Sequence, residues 1–278
     1  MNKDKLKKTL STIVDTDYEV STDVDYKELT NIMLEKIGDT DPVLRDELIY
    51  MIMANWIDKD IYSNKELKEI LNICLDEDHL FYNIDSKEDD SVFTRTFSAL
   101  QIAMLIYKDN NLDYLTQKEF NETAKLVCSY YKKEKDLRGY IENKGWAHSA
   151  AHGADIFAEI ANNKKVQTKT LKNVLDVVNS KIKVDNYIYF NNEDERISKA
   201  VTAVIKANKL DDQYLSNWFN SLLDIKEINN RNKKDTLISN IKNFLRSLYF
   251  NILEDEEIDD KYIVNVTNTL KELEQKRF

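Results

Sequence analysis

A near absence of turn-forming residues is the feature that most restricts the fold of this chain. Its 278 residues include four glycines and one proline, whereas glycine alone makes up roughly 7% of an average protein. Tight β-hairpins depend on glycine, so a chain of this composition is poorly suited to forming many of them. It is well suited to helices joined by short polar loops. The sequence therefore predicts an all-α fold.

Several local signals indicate where helices begin. Asp41 precedes Pro42, and this order is typical of a capping residue followed by proline at the first helical position. Ser63 and Glu66 have the spacing of a capping box, which opens a helix. The segment 184–192 carries no helical pattern and is expected to be an extended loop.

Related patterns recur along the chain at intervals of about 50 residues, which is typical of helix-pair repeats of the HEAT kind. The segment D-P-V-L at Asp41, for example, is similar to D-S-V-F at Asp90. The sequence predicts stacked antiparallel helix pairs, as in a HEAT-like α-solenoid or an α/α superhelix, within a single domain that spans residues 1–278. The pairs are expected near 41–76, 90–131, 145–181 and 194–225, with end helices within 3–37 and 233–274.

The charge and the apolar pattern exclude several classes of partner. The formal net charge is −10, which argues against binding to nucleic acid or to an anionic membrane surface. No run approaches the roughly 18 apolar residues of a membrane span.

Cys74 and Cys128 lie in apolar helical patterns and are expected to be buried free thiols. Free thiols favour a reducing, cytoplasmic location.

The stretch from Arg138 to Glu159 differs in composition from the rest of the chain. It holds three of the four glycines and two of the three histidines. With a helix taken to begin at Gly145, the side chains of His148, His152, Asp155 and Glu159 fall on one stripe of its surface. Most of the other positions are alanine or other apolar residues, so the helix is expected to be buried on several sides.

This stripe has two interpretations. Histidines four residues apart on a helix can share a divalent transition metal, so His148 and His152 are candidate metal ligands or acid–base groups. The metal pair can also be His152 and Asp155, with further ligands from other helices, and Asp155 or Glu159 can instead orient an imidazole. In the alternative interpretation, both histidines make structural hydrogen bonds or line an exposed helix edge.

Arginine is rare in this chain, with seven arginines against thirty-three lysines. Arg45, Arg95 and Arg196 each lie near the start of the first helix of a repeat. Stacked repeats would bring them to a common wall with His148 and His152. Guanidinium groups bind phosphate and carboxylate, so this wall is a candidate site for an anionic ligand. Two more residues, Arg138 in the preceding loop and Trp146 beside the stripe, are expected to contribute.

The arginines also have a structural interpretation that the sequence leaves open. Arg45 neighbours Asp46, Arg138 neighbours Asp136, and Arg196 follows Asp194 and Glu195. Buried arginine–carboxylate pairs that join adjacent repeats would give the same pattern.

Four blocks of the chain carry a resemblance to a known family. They are D-P-V-L-R-D from Asp41, F-T-R-T-F from Phe93, D-L-R-G-Y from Asp136 and G-W-A-H-S-A-A-H-G-A-D from Gly145. In these blocks the chain resembles an uncharacterised bacterial family known as domain of unknown function 2785. The resemblance extends from about residue 41 to residue 211. It implies an all-helical bacterial protein and supplies no activity.

Two functions therefore remain open. In the first, the arginine- and histidine-lined wall binds an anionic small molecule, peptide or protein partner without chemistry. In the second, the protein is a hydrolase that uses His148 and His152 as general bases or as metal ligands.

Overall fold

The structure is a computed structural model that describes residues 1–21, 24–225 and 228–276. Contacts between Cα atoms divide the chain into two compact units. Unit 1 consists of Met1–Thr116 and Lys133–His152, and unit 2 consists of Gln117–Lys132 and Gly153–Phe278. Each unit is thus assembled from two separate stretches of the chain. The single domain expected from the sequence stays a prediction.

Unit 1 consists of helices and one short hairpin. The hairpin strands are β1 (Tyr140–Ile141) and β2 (Gly145–Trp146), which pair antiparallel. The helices are α1 (Lys3–Asp15), α2 (Tyr26–Glu35), a π-helix (Val43–Tyr50), α3 (Met51–Asp58), α4 (Asn64–Cys74) and α5 (Ser91–Leu112).

Unit 2 is built from helices joined by short loops. Two of its helices, α6 (Gln117–Lys133) and α7 (Ser149–Asn162), begin or end with residues of unit 1. Among the described helices of the chain, none is both long and apolar enough to cross a membrane. The remaining helices are α8 (Thr168–Ile182), α9 (Glu193–Lys206), α10 (Asp212–Ser221), α11 (Arg231–Leu253) and α12 (Lys261–Gln275).

The all-α class predicted from the sequence is confirmed. Consecutive helices lie near the expected pairs, such as α5 and α6 near 90–131. One boundary was wrong, because α7 begins at Ser149 and not at Gly145. Gly145 and Trp146 form β2, which pairs with β1 and delays the start of the helix. The HEAT-like stacking of the pairs stays a prediction.

The expected helix starts are present. The side chain of Asp41 accepts the backbone amide of Val43 at 3.1 Å, directly after Pro42. Ser63 and Glu66 form the capping box, in which the Ser63 amide donates to the Glu66 carboxylate at 2.8 Å. Side chains thus satisfy amide groups that have no partner within their own helix.

Lysine side chains bind backbone carbonyl groups at several helix ends. In unit 1, Lys59 donates to the carbonyl of Asp17 at 2.6 Å, and Lys108 donates to that of Asp58 at 2.7 Å. In unit 2, Lys276 donates to the carbonyl of Leu223 at 2.7 Å. The last carbonyls of a helix carry partial negative charge and lack helical partners. These lysines therefore stabilise the helix ends.

Non-glycine residues also occupy left-handed backbone positions. Asparagine and aspartate tolerate this conformation better than other side chains, and most of the residues found there are of these two types. They replace glycine at the turns of a chain that has few glycines. The residues with positive φ are Asp17, Tyr18, Asp60, Asn83, Glu88, Asp113, Asn143, His148, Asn192 and Asn208.

We expect the stability of unit 1 at acid pH to depend on Glu66. A hydrogen bond from Lys27, aided by Ser63, lowers the pKa of Glu66 from 4.5 to about 2. Such a carboxylate stabilises the fold above its ordinary pKa, and this contribution is lost as the pH falls through the lowered value. Urea unfolding between a pH of about 5 and about 2 should therefore show a smaller loss of unfolding free energy in Glu66→Gln than in wild type.

The variant Lys27→Met provides the control, because it removes the first cause of the lowered pKa and keeps the carboxylate. It should also reduce the pH dependence. Identical pH profiles for Glu66→Gln and wild type would contradict the expectation.

Candidate functional site

The hairpin of unit 1 is held by a buried arginine. Arg45 lies on the π-helix, and its side chain is fully buried. Its Nη1 donates to the carbonyl of Asp39 at 2.7 Å, and its Nη2 donates to the carbonyl of Lys144 at 2.6 Å. The Nε atom lies 2.7 Å from the carboxylate of Asp46. Arg45 therefore joins the π-helix to the residue that precedes β2.

Two phenylalanine rings of α5 enclose the same guanidinium group. Its central carbon lies 4.1 Å from the ring centroid of Phe93 and 4.6 Å from that of Phe97. Desolvation by these surroundings lowers the pKa of Arg45 and raises the pKa of Asp46. A cation over an aromatic face is stabilised further when water is excluded. The contacts of Arg45 are therefore those of a structural clamp.

Gly145 fits this clamp because it has no side chain. Its φ is +78°, which disfavours L side chains. A Cβ atom at this position would lie 2.9 Å from Nη2 of Arg45 and 2.9 Å from Cβ of Pro42. The glycine that opens the block G-W-A-H is thus required by backbone conformation and by close packing.

The segment after β2 positions His148. The amide of Ala147 donates to the carbonyl of Gly139 at 2.8 Å, and the amide of His148 donates to that of Arg138 at 2.9 Å. His148 has a φ of +51° and precedes the first residue of α7. Its carbonyl accepts the amide of His152 at 2.9 Å. The sequence had predicted that the two histidines share a helix, and this was wrong. His152 lies in α7, whereas His148 occupies the cap position before it.

Five rings of unit 1, which we name the ring row, follow one another from solvent into the core. Trp146 stacks on His148 with a centroid distance of 4.7 Å and an interplanar angle of 24°. His148 and His152 are 5.4 Å apart and nearly perpendicular. Tyr140 is 57% and Trp146 is 39% exposed, whereas both imidazoles are below 10%. The members are Tyr140, Trp146, His148, His152 and Phe97.

Arg95 is buried in unit 1 and bound on all sides. Its Nε and Nη2 donate to the two carboxylate oxygens of Glu134 at 2.6 and 3.0 Å. Its Nη1 donates to the hydroxyl of Ser91 at 2.6 Å and to the carbonyl of Tyr82 at 2.9 Å. This set of partners is typical of a fully satisfied buried ion pair.

Arg138 is more accessible. Its Nε donates to Asp136 at 2.9 Å, and its Nη2 donates to the carbonyl of Asp89 at 2.8 Å. Its side chain is 26% exposed, whereas that of Asp136 is 1% exposed. Arg138 therefore holds a buried carboxylate and keeps one side towards solvent.

Asp155 and Arg196 belong to unit 2, where they bind each other. The Nε of Arg196 donates to Oδ1 of Asp155 at 2.6 Å, and Nη2 donates to Oδ2. The side chains are 20% and 37% exposed, respectively. The sequence had assigned these residues separate roles and had not predicted this pair.

The four arginines expected to line a common wall all pair with carboxylates. The pairs of Arg45 with Asp46 and of Arg138 with Asp136 are those that the structural interpretation expected. Arg196 pairs with Asp155 in place of its sequence neighbours. Ligand binding by these arginines stays a prediction.

Two partners in the site were not predicted from the sequence. Glu134 lies in the charged run K-K-E-K-D, where nothing distinguishes it from exposed neighbours. Tyr140 lies in the block D-L-R-G-Y, of which only Arg138 had been predicted as a site residue. Its pairing with Trp146 follows from the hairpin register, which places Tyr140 opposite Trp146.

The fold and these contacts define an all-α protein with an aromatic and histidine cluster at a short hairpin. The family described as "Protein of unknown function (DUF2785)" matches residues 80–250, and the chain belongs to this family. No curated protein and no solved structure matches the chain. Among the described residues, no group of three or more His, Cys, Asp or Glu side chains is placed to hold a metal ion.

We expect removal of Arg95 to destabilise the protein strongly. Arg95→Met leaves the carboxylate of Glu134 buried without its cation, which typically costs about 3–5 kcal/mol. In the double variant with Glu134→Gln, no unpaired charge remains, and the amide oxygen can still accept the backbone amides that Glu134 binds at 135 and 136. The double variant should therefore recover part of the loss. Urea unfolding measures both, and a loss below about 1 kcal/mol in the single variant would contradict the prediction.

We also expect Gly145→Ala to destabilise the hairpin. A non-glycine residue in a strained conformation costs about 1–3 kcal/mol, and the new Cβ would press on Arg45. Asn143→Gly is the matched control, since Asn143 has a φ of +62° in the same hairpin turn and glycine adopts this conformation freely. Thermal unfolding should separate the two variants, and equal melting temperatures would refute the assignment.

Proposed function

We propose that this protein binds an anionic ligand at the ring row, through the exposed face of Trp146 and the imidazoles of His148 and His152. The ligand is a small molecule, a peptide or a segment of a protein partner that carries a phosphate or carboxylate group. The observation that carries the proposal is the stacking of the half-exposed Trp146 on His148, with His152 at a right angle behind it.

The aromatic members supply an apolar surface. Tyr140 and Trp146 expose their rings on the hairpin, with centroids 5.1 Å apart. Large exposed aromatic side chains are enriched at binding sites because they contribute contact area with little loss of conformational entropy. A planar group of a ligand can lie against such a surface.

The histidines supply the polar part. Neutral imidazole has one N–H donor and imidazolium has two, so a pair of imidazoles can bind an anionic oxygen. Arg138 lies two residues before β1 and is partly exposed, and its cation would favour the same ligand.

The site is also preorganised. The Arg45 clamp and the hydrogen bonds of Ala147 and His148 fix the backbone that carries these rings. A fixed site loses less entropy when it binds a ligand. This supports binding at the ring row over a purely structural role for the histidines.

Tryptophan fluorescence tests the proposal directly, since Trp146 is half-exposed whereas Trp56 and Trp218 are buried. We expect phenyl phosphate to change the emission of Trp146 saturably. Inorganic phosphate and phenol should bind more weakly, because inorganic phosphate lacks the aromatic ring and phenol lacks the anionic group. His148→Gln should weaken the binding of phenyl phosphate by about tenfold.

The matched control is His79→Gln, which replaces the third histidine of the chain, paired with Asp76 in unit 1. It should leave the affinity unchanged. Equal binding by phenol, or an unchanged response in Trp146→Phe, would contradict the proposal.

A histidine-dependent hydrolase, with or without a divalent transition metal, is the second candidate. The observation in its favour is the 5.4 Å separation of the two imidazole centroids. About one equivalent of a transition metal in the purified protein, lost in the His148→Ala/His152→Ala double variant, would favour this candidate. The free thiols of Cys74 and Cys128 support a cytoplasmic location for either function.

A further inference from the structure

One buried asparagine binds the backbone of the loop between α8 and α9 in unit 2. Asn240 of α11 is 1% exposed. Its amide group donates to the carbonyls of Val184 and Tyr187 at 3.1 and 2.8 Å. Its side-chain oxygen accepts the amide of Tyr189 at 3.0 Å. One side chain thus fixes the backbone of the loop at three points.

The side chains at positions 188–190 alternate between exposed and buried, while the ring centroid of Tyr187 lies 5.8 Å from that of Phe190. Tyr189 is 3% exposed, and its hydroxyl donates to the carbonyl of Lys181 at 3.0 Å. Ile188 is 44% and Phe190 is 70% exposed, which makes Phe190 the most exposed large apolar side chain in the described chain. A period of two is that of an extended strand, in which alternate residues face opposite sides.

The backbone groups of the two exposed residues have no hydrogen-bond partner in the described part of the chain. In the described part of the chain, the amide and carbonyl groups of Ile188 and Phe190 make no hydrogen bond. Exposed, unpaired backbone groups in an extended segment are a template for the addition of another strand. The loop thus combines free backbone groups with two apolar side chains, and its anchor holds this arrangement in place.

We propose that residues 187–190 bind an extended peptide segment of a partner protein by β-strand addition, through the backbone groups of Ile188 and Phe190. In this mode of recognition, backbone hydrogen bonds supply the affinity and alternate side chains supply the specificity. The residues from 186 to 192 carry no charge. The partner segment is therefore uncharged, with apolar side chains at alternate positions that pack on Ile188 and Phe190.

The exposed area argues against a second copy of this chain as the occupant. A fully exposed aromatic side chain presents about 150–250 Å². Two partly exposed side chains thus present far less than the roughly 800 Å² that each partner buries in a stable complex. A short peptide with transient binding fits this area, because its backbone hydrogen bonds supplement the apolar contact.

A library of random heptapeptides displayed on phage tests the proposal on the full chain. We expect selection on the wild-type protein to enrich uncharged peptides with alternating apolar residues. A synthetic peptide of the enriched sequence should slow hydrogen exchange of the Ile188 and Phe190 amides. The Ile188→Ser/Phe190→Ser double variant should bind this peptide about tenfold more weakly. N-methylation of alternate peptide amides should abolish binding.

The matched control is Phe250→Ser, which removes another exposed phenylalanine of unit 2, 57% exposed on α11. It should bind the selected peptide as the wild type does. Circular dichroism should show that all variants keep the wild-type fold, since the replaced side chains are exposed.

Three results would overturn the proposal. The first is a selection that enriches no peptide for the wild type over the double variant. The second is equal binding of the enriched peptides after N-methylation. The third is dimerisation of the free protein, lost in the double variant, which would make a second copy the occupant. The ring row plays no part in these measurements, so their outcome is distinct from that of the anion-binding test.

Discussion

The buried guanidinium of Arg45 is the interaction on which the hairpin of unit 1 depends. It donates hydrogen bonds to the carbonyls of Asp39 and Lys144 and so joins them to the π-helix, and it lies against the rings of Phe93 and Phe97. These contacts determine where β2 lies and hence where Trp146 and His148 are placed. A buried cation is tolerated here because three kinds of contact offset part of the free-energy cost of its desolvation. They are its hydrogen bonds, the carboxylate of Asp46 and two aromatic faces. Arg45 thus supports the backbone that carries the ring row.

The scarcity of glycine has consequences beyond the choice of helices. Glycine commonly ends helices in the left-handed conformation. Here asparagine and aspartate take many of these positions, and lysine side chains such as Lys108 bind carbonyls at helix ends. Lys108 thus serves the backbone and adds little to any basic surface, since its side chain is 7% exposed. The net charge is negative because the 50 Asp and Glu residues outnumber the 40 Lys and Arg residues.

Much of the fold could be predicted from the sequence, because helix periods and caps are local. The capping box of Ser63 and the start after Pro42 needed only neighbouring residues. The start of α7 could not be predicted in the same way. Its composition is helical from Gly145 onward, but pairing of Gly145 with Ile141 competes with the helix. Pairing between strands is decided by turn geometry and packing, which a helical period does not reveal.

The sequence by itself determined the all-α class, the order of the helices and the unusual character of the block from Gly145 to Asp155. These follow from composition and from interactions within a few residues. Only the tertiary structure decided the partners of the charged groups: Glu134 for Arg95, Asp155 for Arg196 and a backbone carbonyl for Arg45. A guanidinium group binds any carboxylate or carbonyl that the fold brings near it, so its sequence neighbours do not specify its role.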